Sequence, residues 1–242
     1  ASRCRQRVES ILDYAASAGF RKGENPARWK GHLANLLPKR SRVASARVKH
    51  YAALPYAELS DFMAALRSRG GVASAALEFA ILTCARTGEV LGAKWSEIDV
   101  ERRLWVVPAE RMKMRREHRV PLSAAVLAIL ERMALLRTSD FVFPGQRAKA
   151  PLSNMSLLML LRKMGRGDLT AHGFRSTFRD WCAEQTAFPS EVAEMALAHA
   201  VGDKVEAAYR RGDLLQKRQQ VADAWANFCS STGAGEVVPL RA

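Results

Sequence analysis

A chain of 242 residues with 48% hydrophobic content can bury a core and fits one or two domains. Its 38 Lys and Arg against 24 Asp and Glu leave a net charge of +14, which points to a polyanionic partner, nucleic acid first and an acidic membrane surface second. The cysteines, Cys4, Cys84, Cys182 and Cys229, are far apart and form no CxxC, which argues against a zinc ribbon or a disulfide framework and fits a reducing cytoplasm.

The first thirty residues open with a helical pattern, Val8, Ile11, Leu12 and Ala15 making one apolar side. Gly19, Gly23 and the pair Asn25-Pro26 then end it. One helix before a linker is less than a domain. With no signal peptide and Ala1 in first place, residues 1–35 read as the C-terminal remnant of a helical domain. Residues 36–53 are basic, contain Pro38 and lack a period, which reads as a linker that can lie along phosphates.

From Leu54 the pattern becomes denser, and residues 54–229 read as one domain, mainly helical with a small antiparallel β-sheet. "LPYAELSDFMAALRSR" and "VASAALEFAILTCAR" are helices, the second almost wholly buried and too short, with Glu78 inside it, to span a bilayer. "LWVV" and "HRVPL" are short strands around a basic segment. Helices resume in "SAAVLAILERMALL", "LSNMSLLMLLRKMG", "LTAHGFRSTFRDW" and "SEVAEMALAHA". A short one capped by Asp203 with Glu206 follows. The last, "DLLQKRQQVADAWANF", carries Leu214, Val221, Trp225 and Phe228 on one stripe, expected in the domain's own core. Residues 230–242 read as a flexible tail.

There is no GxxxxGK[ST], no HExxH and no clustered carboxylate set, so phosphodiester chemistry here is expected to need neither metal nor cofactor. Metal-free phosphoryl transfer then needs a side-chain nucleophile, cations on the non-bridging oxygens and a proton donor for the leaving oxygen. In "LTAHGFRSTFRDW", Thr170 can cap a helix whose Phe174, Phe178 and Trp181 face a core. At about 100° per residue His172, Arg175 and Arg179 share a different stripe, suited to an anion. Arg86 follows a buried helix and precedes a turn where Thr87 can cap the next helix and Glu89 stands in its first turn. Lys113 lies between two methionines in the hairpin, beside Arg115 and Arg116. His199 sits at a helix end, and Tyr209 is followed by Arg210 and Arg211.

Each also has a plain structural reading. Tyr209 suits a half-buried core position, His199 a helix C-terminus, Arg86 an ion pair with Glu89, and Lys113 a solvated face with seven Lys or Arg between residues 102 and 119. The order Arg, Lys, His-x-x-Arg, His, Tyr nevertheless resembles one constellation throughout. "ARTGEVLGAKWSEID", "RMKMRREHRVPLS", "HGFRSTFRDW" and "LAHAVGDKVEAAYRRGD" are similar to the two arginine boxes, the lysine hairpin and the histidine and nucleophile box of the tyrosine recombinases, the phage-type integrases of prophages and genomic islands. The resemblance runs from about Leu54 to Phe228, with one common departure: many relatives have Gly where Cys84 or Ala85 stands, a difference expected to affect packing rather than catalysis.

The resemblance implies a site-specific recombinase that cleaves and rejoins DNA through a 3′-phosphotyrosyl bond to Tyr209. It implies Arg86, Arg175 and His199 on the scissile phosphate, His172 as general base, Lys113 as donor to the leaving 5′-oxygen and Glu89 in support. Arg115, Arg116, Arg179, Arg210 and Arg211 are expected on the DNA backbone. It further implies double-stranded DNA attachment sites as substrate, a homotetramer on DNA, accessory DNA-bending or directionality factors, and a bacterial cytoplasmic, nucleoid-associated location without membrane attachment. Residues 1–35 would then come from a core-DNA-binding domain. A catalytically inactive DNA-binding protein and a type IB topoisomerase-like enzyme remain the alternative readings.

Overall fold

The computed structural model describes residues 2–37, 52–147, 149–199 and 212–231. The chain forms two compact units, Ala1–His50 and Tyr51–Ala242. In the first, helix α1 (Ser2–Ser17) ends where Gly19 (φ +76°) and Gly23 (φ +94°) take left-handed conformations open to glycine without a Cβ penalty. Asn25 is buried and turns the chain back along the helix. Its Nδ2 donates to Glu9 O at 2.9 Å and Asp13 Oδ1 at 2.7 Å, while its Oδ1 accepts from Ala27 N at 2.9 Å. The apolar side expected of α1 is not buried here, Ile11 being 65% exposed.

The second unit starts with α2 (Leu59–Arg69) and α3 (Gly71–Thr83). Helix α3 is buried from Ser74 through Thr83, as its nearly unbroken apolar run requires. Its one acid, Glu78, is ion-paired to Arg67 of α2 at 2.6 Å and, at 3.2 Å, to Arg132 of α5 (Ala124–Leu135), so a charge the core could not hold alone ties three helices together. Between them come α4 (Thr87–Leu91) and a three-stranded antiparallel sheet, β1 (Ile98–Asp99), β2 (Leu104–Val107) and β3 (His118–Pro121), in the order β1-β2-β3. Trp105 pairs with Val120 and Val107 with His118, which sends Trp105, Val107 and Val120 to the core. Two of the three strands were legible as "LWVV" and "HRVPL"; β1 is a third.

Helices α6 (Ser156–Lys163), α7 (Gly173–Gln185), α8 (Ser190–Ala196) and α9 (Leu215–Phe228) follow among the described residues of this unit. Phe178 and Trp181 of α7 pack edge-on or tilted against Trp225 of α9, centroids 5.3 and 4.9 Å apart. The indole Nε1–H of Trp225 donates to Ile81 O at 2.9 Å. Val221 and Trp225 are buried with Leu214 and Phe228 packed around them, so the stripe on α9 serves its own domain's core, the favoured of the two placements its periodicity allowed. Burying each such aromatic contributes roughly 2–3 kcal/mol.

Of two helix starts read from the sequence, one is as expected and one differs. Helix α7 begins at Gly173, and the Thr170 hydroxyl caps it by accepting the Gly173 N–H at 3.1 Å. Helix α4 is capped by Glu89 rather than Thr87: the Glu89 carboxylate accepts the Arg86 N–H at 2.9 Å. The departure at Cys84 is a matter of backbone as well as packing. Cys84 ends α3 at φ +54°, a conformation in which glycine carries no penalty.

Candidate active site

Three segments converge at the start of α7. The turn after α3 presents Arg86, the first turn of α7 presents His172 and Arg175, and the chain leaving α8 presents the carbonyls of Leu197 and Ala198 and the ring of His199. Arg175 is buried (5% exposed) and its guanidinium is held in place: Nη1 donates to Cys84 O, Nη2 to Leu197 O at 2.6 Å, and Nη2 lies 3.1 Å from His199 Nε2. Arg86 donates from Nη1 to Glu89 Oε1 at 2.9 Å and from Nη2 to Ala198 O at 3.1 Å. Thus Arg86 and Arg175, distant in the chain, meet on one pair of backbone carbonyls, those of Leu197 and Ala198, and His199, next in sequence, joins them through Arg175.

Why the chain makes this turn is visible at Ala198. With φ +50° it reverses the backbone just after α8, while Leu197, Ala198 and His199 N–H groups return to Ala193, Met195 and Glu194 carbonyls. The last carbonyls of the helix are thereby turned outward as guanidinium acceptors, and His199 is brought over Glu194, whose Oε2 lies 2.6 Å from Nδ1. The other Glu194 oxygen accepts Arg179 Nε at 2.6 Å. Arg179, expected on DNA, is 65% exposed and shares that carboxylate.

The electrostatics favour an anion. Two guanidiniums face one site, and Arg86 is among the causes, after burial, that lower the Arg175 pKa. His172 is pushed below the ordinary histidine value by burial first and then by Arg175, Arg86 and His199. A neutral imidazole is what a general base at neutral pH requires. An anion placed among these groups relieves the repulsion between cations and finds donors already fixed by backbone carbonyls.

Glu89 is buried beneath the site, and its own backbone is braced by Arg111, which donates Nη2 to Glu89 O and pairs with Glu97. Lys113, Arg115 and Arg116 occupy the exposed connection between β2 and β3, where Arg115 adopts φ +52°. Tyr209, Arg210 and Arg211 lie outside the described residues, as does the expected helix capped by Asp203. On their far side Arg218 of α9, 2% exposed, holds the chain at Asp213: it donates Nε to Asp213 O at 2.7 Å and Nη2 to Asp213 Oδ2 at 2.8 Å. Its Nη1 reaches Arg119 O of β3 at 2.7 Å.

Glu194, Arg111, His118 and Arg218 were not singled out in the sequence. Glu194 and His199 stand five apart, which on a regular helix is about 140° of separation; only the left-handed Ala198 brings them together. His118 hydrogen-bonds the Ala196 backbone, and burial first, then Arg218 and Arg86, lower its pKa to about 4.

A sequence profile of the phage integrase family matches residues 53–214. Among curated relatives, a prophage integrase IntA of Escherichia coli K12 is 37% identical over 65% of this chain and 39% of its own length. The integrase of Enterobacteria phage P4 is 30% identical over 94% of this chain and 54% of its own. The chain therefore spans about half the length of the curated relatives it matches. Among solved structures, a lambda integrase (75–356) dimer bound to a COC′ core site superposes with a TM-score of 0.57 at 19% identity, covering 81% of this chain and 70% of that one. An integrase from mycobacterium phage Brujita gives 0.56 at 20% identity, covering 90% and 69%.

Proposed function

Because the chain belongs to the phage integrase family, we propose that it is a site-specific DNA recombinase, a tyrosine integrase that cuts and rejoins DNA strands to integrate or excise a mobile element. The observation that carries this is the meeting of Arg86, Arg175 and His199 around the Leu197 and Ala198 carbonyls, with His172 beside them. Two guanidinium forks hold both non-bridging oxygens of a phosphodiester in fixed geometry, a task for which a point-charge ammonium is poorly suited.

In the proposed step Tyr209 Oη attacks phosphorus, the P–O5′ bond breaks, and a 3′-phosphotyrosyl bond forms. The Tyr209 proton passes to His172, and Lys113 protonates the departing 5′-oxygen. Arg86, Arg175 and His199 stabilise the charge that develops on the phosphoryl oxygens, and Glu89 holds Arg86 in place. The phosphotyrosyl link conserves the bond energy, so a 5′-hydroxyl from another strand reverses the reaction without ATP, metal or other cofactor.

The substrate in this reading is double-stranded DNA carrying attachment sites, met through Arg115, Arg116, Arg179, Arg210 and Arg211 and favoured by the net charge of +14. Residues 54–229 act as the catalytic domain, 36–53 as a basic linker and 1–35 as part of a core-DNA-binding domain. Strand exchange needs a homotetramer on DNA; a lambda integrase tetramer bound to a Holliday junction is among the solved structures of similar fold, with a TM-score of 0.57. Accessory DNA-bending or directionality factors and a bacterial cytoplasmic, nucleoid-associated location complete the reading.

Covalent trapping tests it. Nicked duplexes carrying a candidate attachment core are incubated with the chain in EDTA and run on a denaturing gel beside Tyr209→Phe. A protease-sensitive adduct that disappears in the variant is expected. A bound duplex that never becomes linked would favour the DNA-binding protein without catalysis.

A further inference from the structure

The ring of His199 is held from both sides. Glu194 Oε2 lies 2.6 Å from Nδ1 and Arg175 Nη2 lies 3.1 Å from Nε2, while Glu194 Oε1 accepts Arg179 Nε at 2.6 Å. A guanidinium only donates and a carboxylate only accepts, so the neighbours leave one neutral form that satisfies both: the proton on Nδ1 and the lone pair on Nε2. Burial alone would push the Glu194 carboxyl up, yet the hydrogen bond from His199 and the charge of Arg179 outweigh it, and the group stays below the ordinary carboxylate value. It is an anion at neutral pH.

We propose that Glu194 is a positioning residue for His199, accepting its Nδ1–H, fixing the ring plane and directing Nε2 toward the anion held by Arg175, with Arg179 steadying the carboxylate from outside. This rests on the recombinase reading for its purpose, although the pairing stands on geometry alone. To donate from Nε2 to a phosphoryl oxygen, His199 carries a proton on each ring nitrogen, the second taken from solvent hydronium, which becomes water. The resulting imidazolium faces Arg175, Arg86 and His172, all cationic or titratable, and Glu194 is the carboxylate in direct contact to offset it. The same arrangement of a carboxylate behind an imidazole fixes the tautomer and ring orientation of many functional histidines, and losing such a partner typically costs about 10- to 100-fold.

The test pairs a ring signature with a rate. In the free protein labelled with 15N-histidine, and with His199 assigned from His199→Gln, the Nδ1–H resonance of His199 is expected in the parent chain and in Glu194→Gln, whose amide oxygen still accepts. It is expected to be lost to exchange in Glu194→Ala. On the nicked duplex at saturating concentration, Glu194→Ala is expected to form the phosphotyrosyl adduct about tenfold more slowly with DNA affinity within about twofold, and Glu194→Gln to recover most of that loss. Should the alanine variant fail to fold, Glu194→Asp, which withdraws the oxygen by one methylene, is expected to show the same losses. The proposal is overturned if the resonance is unchanged in Glu194→Ala, or if Gln and Ala slow the reaction equally. If the parent chain forms no adduct on bound duplex, the recombinase reading fails, and the resonance still decides the pairing.

Discussion

Arg175 reaches Cys84 O, Leu197 O and the His199 ring from one planar guanidinium. A lysine there offers three donors around a single nitrogen and cannot span the same acceptors, so Arg175→Lys leaves a buried carbonyl without its donor at a cost of about 1–3 kcal/mol. The same change removes a fork from the proposed phosphate site. Single-turnover trapping is expected to slow by about 10²- to 10³-fold, and urea unfolding to register the loss of about 1–3 kcal/mol. A rate within a few-fold of the parent would place the phosphate elsewhere. Arg175 itself was legible, because its spacing from His172 on the α7 stripe separates it from Phe174 and Phe178. Its carbonyl partners were not, since nothing local in "TCAR" or "LAHA" says that Cys84 and Ala198 turn left-handed.

At the scale of elements, the start of α7 is fixed by close approach to the chain before α2. A Cβ at Gly173 would stand 2.4 Å from Ala52 O, and the Thr177 hydroxyl donates to Leu54 O at 2.7 Å one turn later. Gly173→Ala is therefore expected to destabilise by about 1–3 kcal/mol, as overpacking against backbone does, measured by urea unfolding. Its absence from the stability curve would mean that this loop yields freely. The glycine in "HGFR" is thus a packing requirement, though the sequence by itself displays only a helix start.

Strand β3 carries a second element-scale consequence through His118, whose folded pKa of about 4 lies below the ordinary 6.5. Between those values the unfolded chain holds a proton that the folded chain does not, so stability falls as pH drops from about 6.5 toward 4. The full span corresponds to roughly 3 kcal/mol. Urea midpoints at pH 7 and pH 4.5 are expected to show a smaller acid loss in His118→Gln than in the parent; equal losses would contradict it. The strand's place was readable from "HRVPL". The burial of its first histidine against α8 and α9 depends on how distant elements dock, which a strand pattern does not encode. Helices α7 and α9 were readable for the opposite reason, since their apolar stripes are dense enough that only one face can turn inward, and α3 because its nearly unbroken apolar run must be buried all round.

Over the whole molecule, the proposed function rests on contacts made across long stretches of chain. Arg86 is separated from Ala198 by more than a hundred residues, and a shared pair of carbonyls brings Arg86 and Arg175 together. The residue types in the site were legible through their resemblance to the tyrosine recombinase boxes, whereas Glu194, Arg111 and Arg218, which hold those residues or the chain near them, carry no signature outside the fold. In the proposed function this arrangement serves a tyrosine nucleophile. Its most direct test is to digest the covalent adduct with nuclease and trypsin and locate the residual nucleotide by mass spectrometry. A 3′-linked phosphonucleotide on Tyr209 is expected, formed in EDTA and reduced about 10²-fold or more in Arg175→Lys. A nucleotide on any other residue, or its complete absence from a duplex that is demonstrably bound, would contradict it.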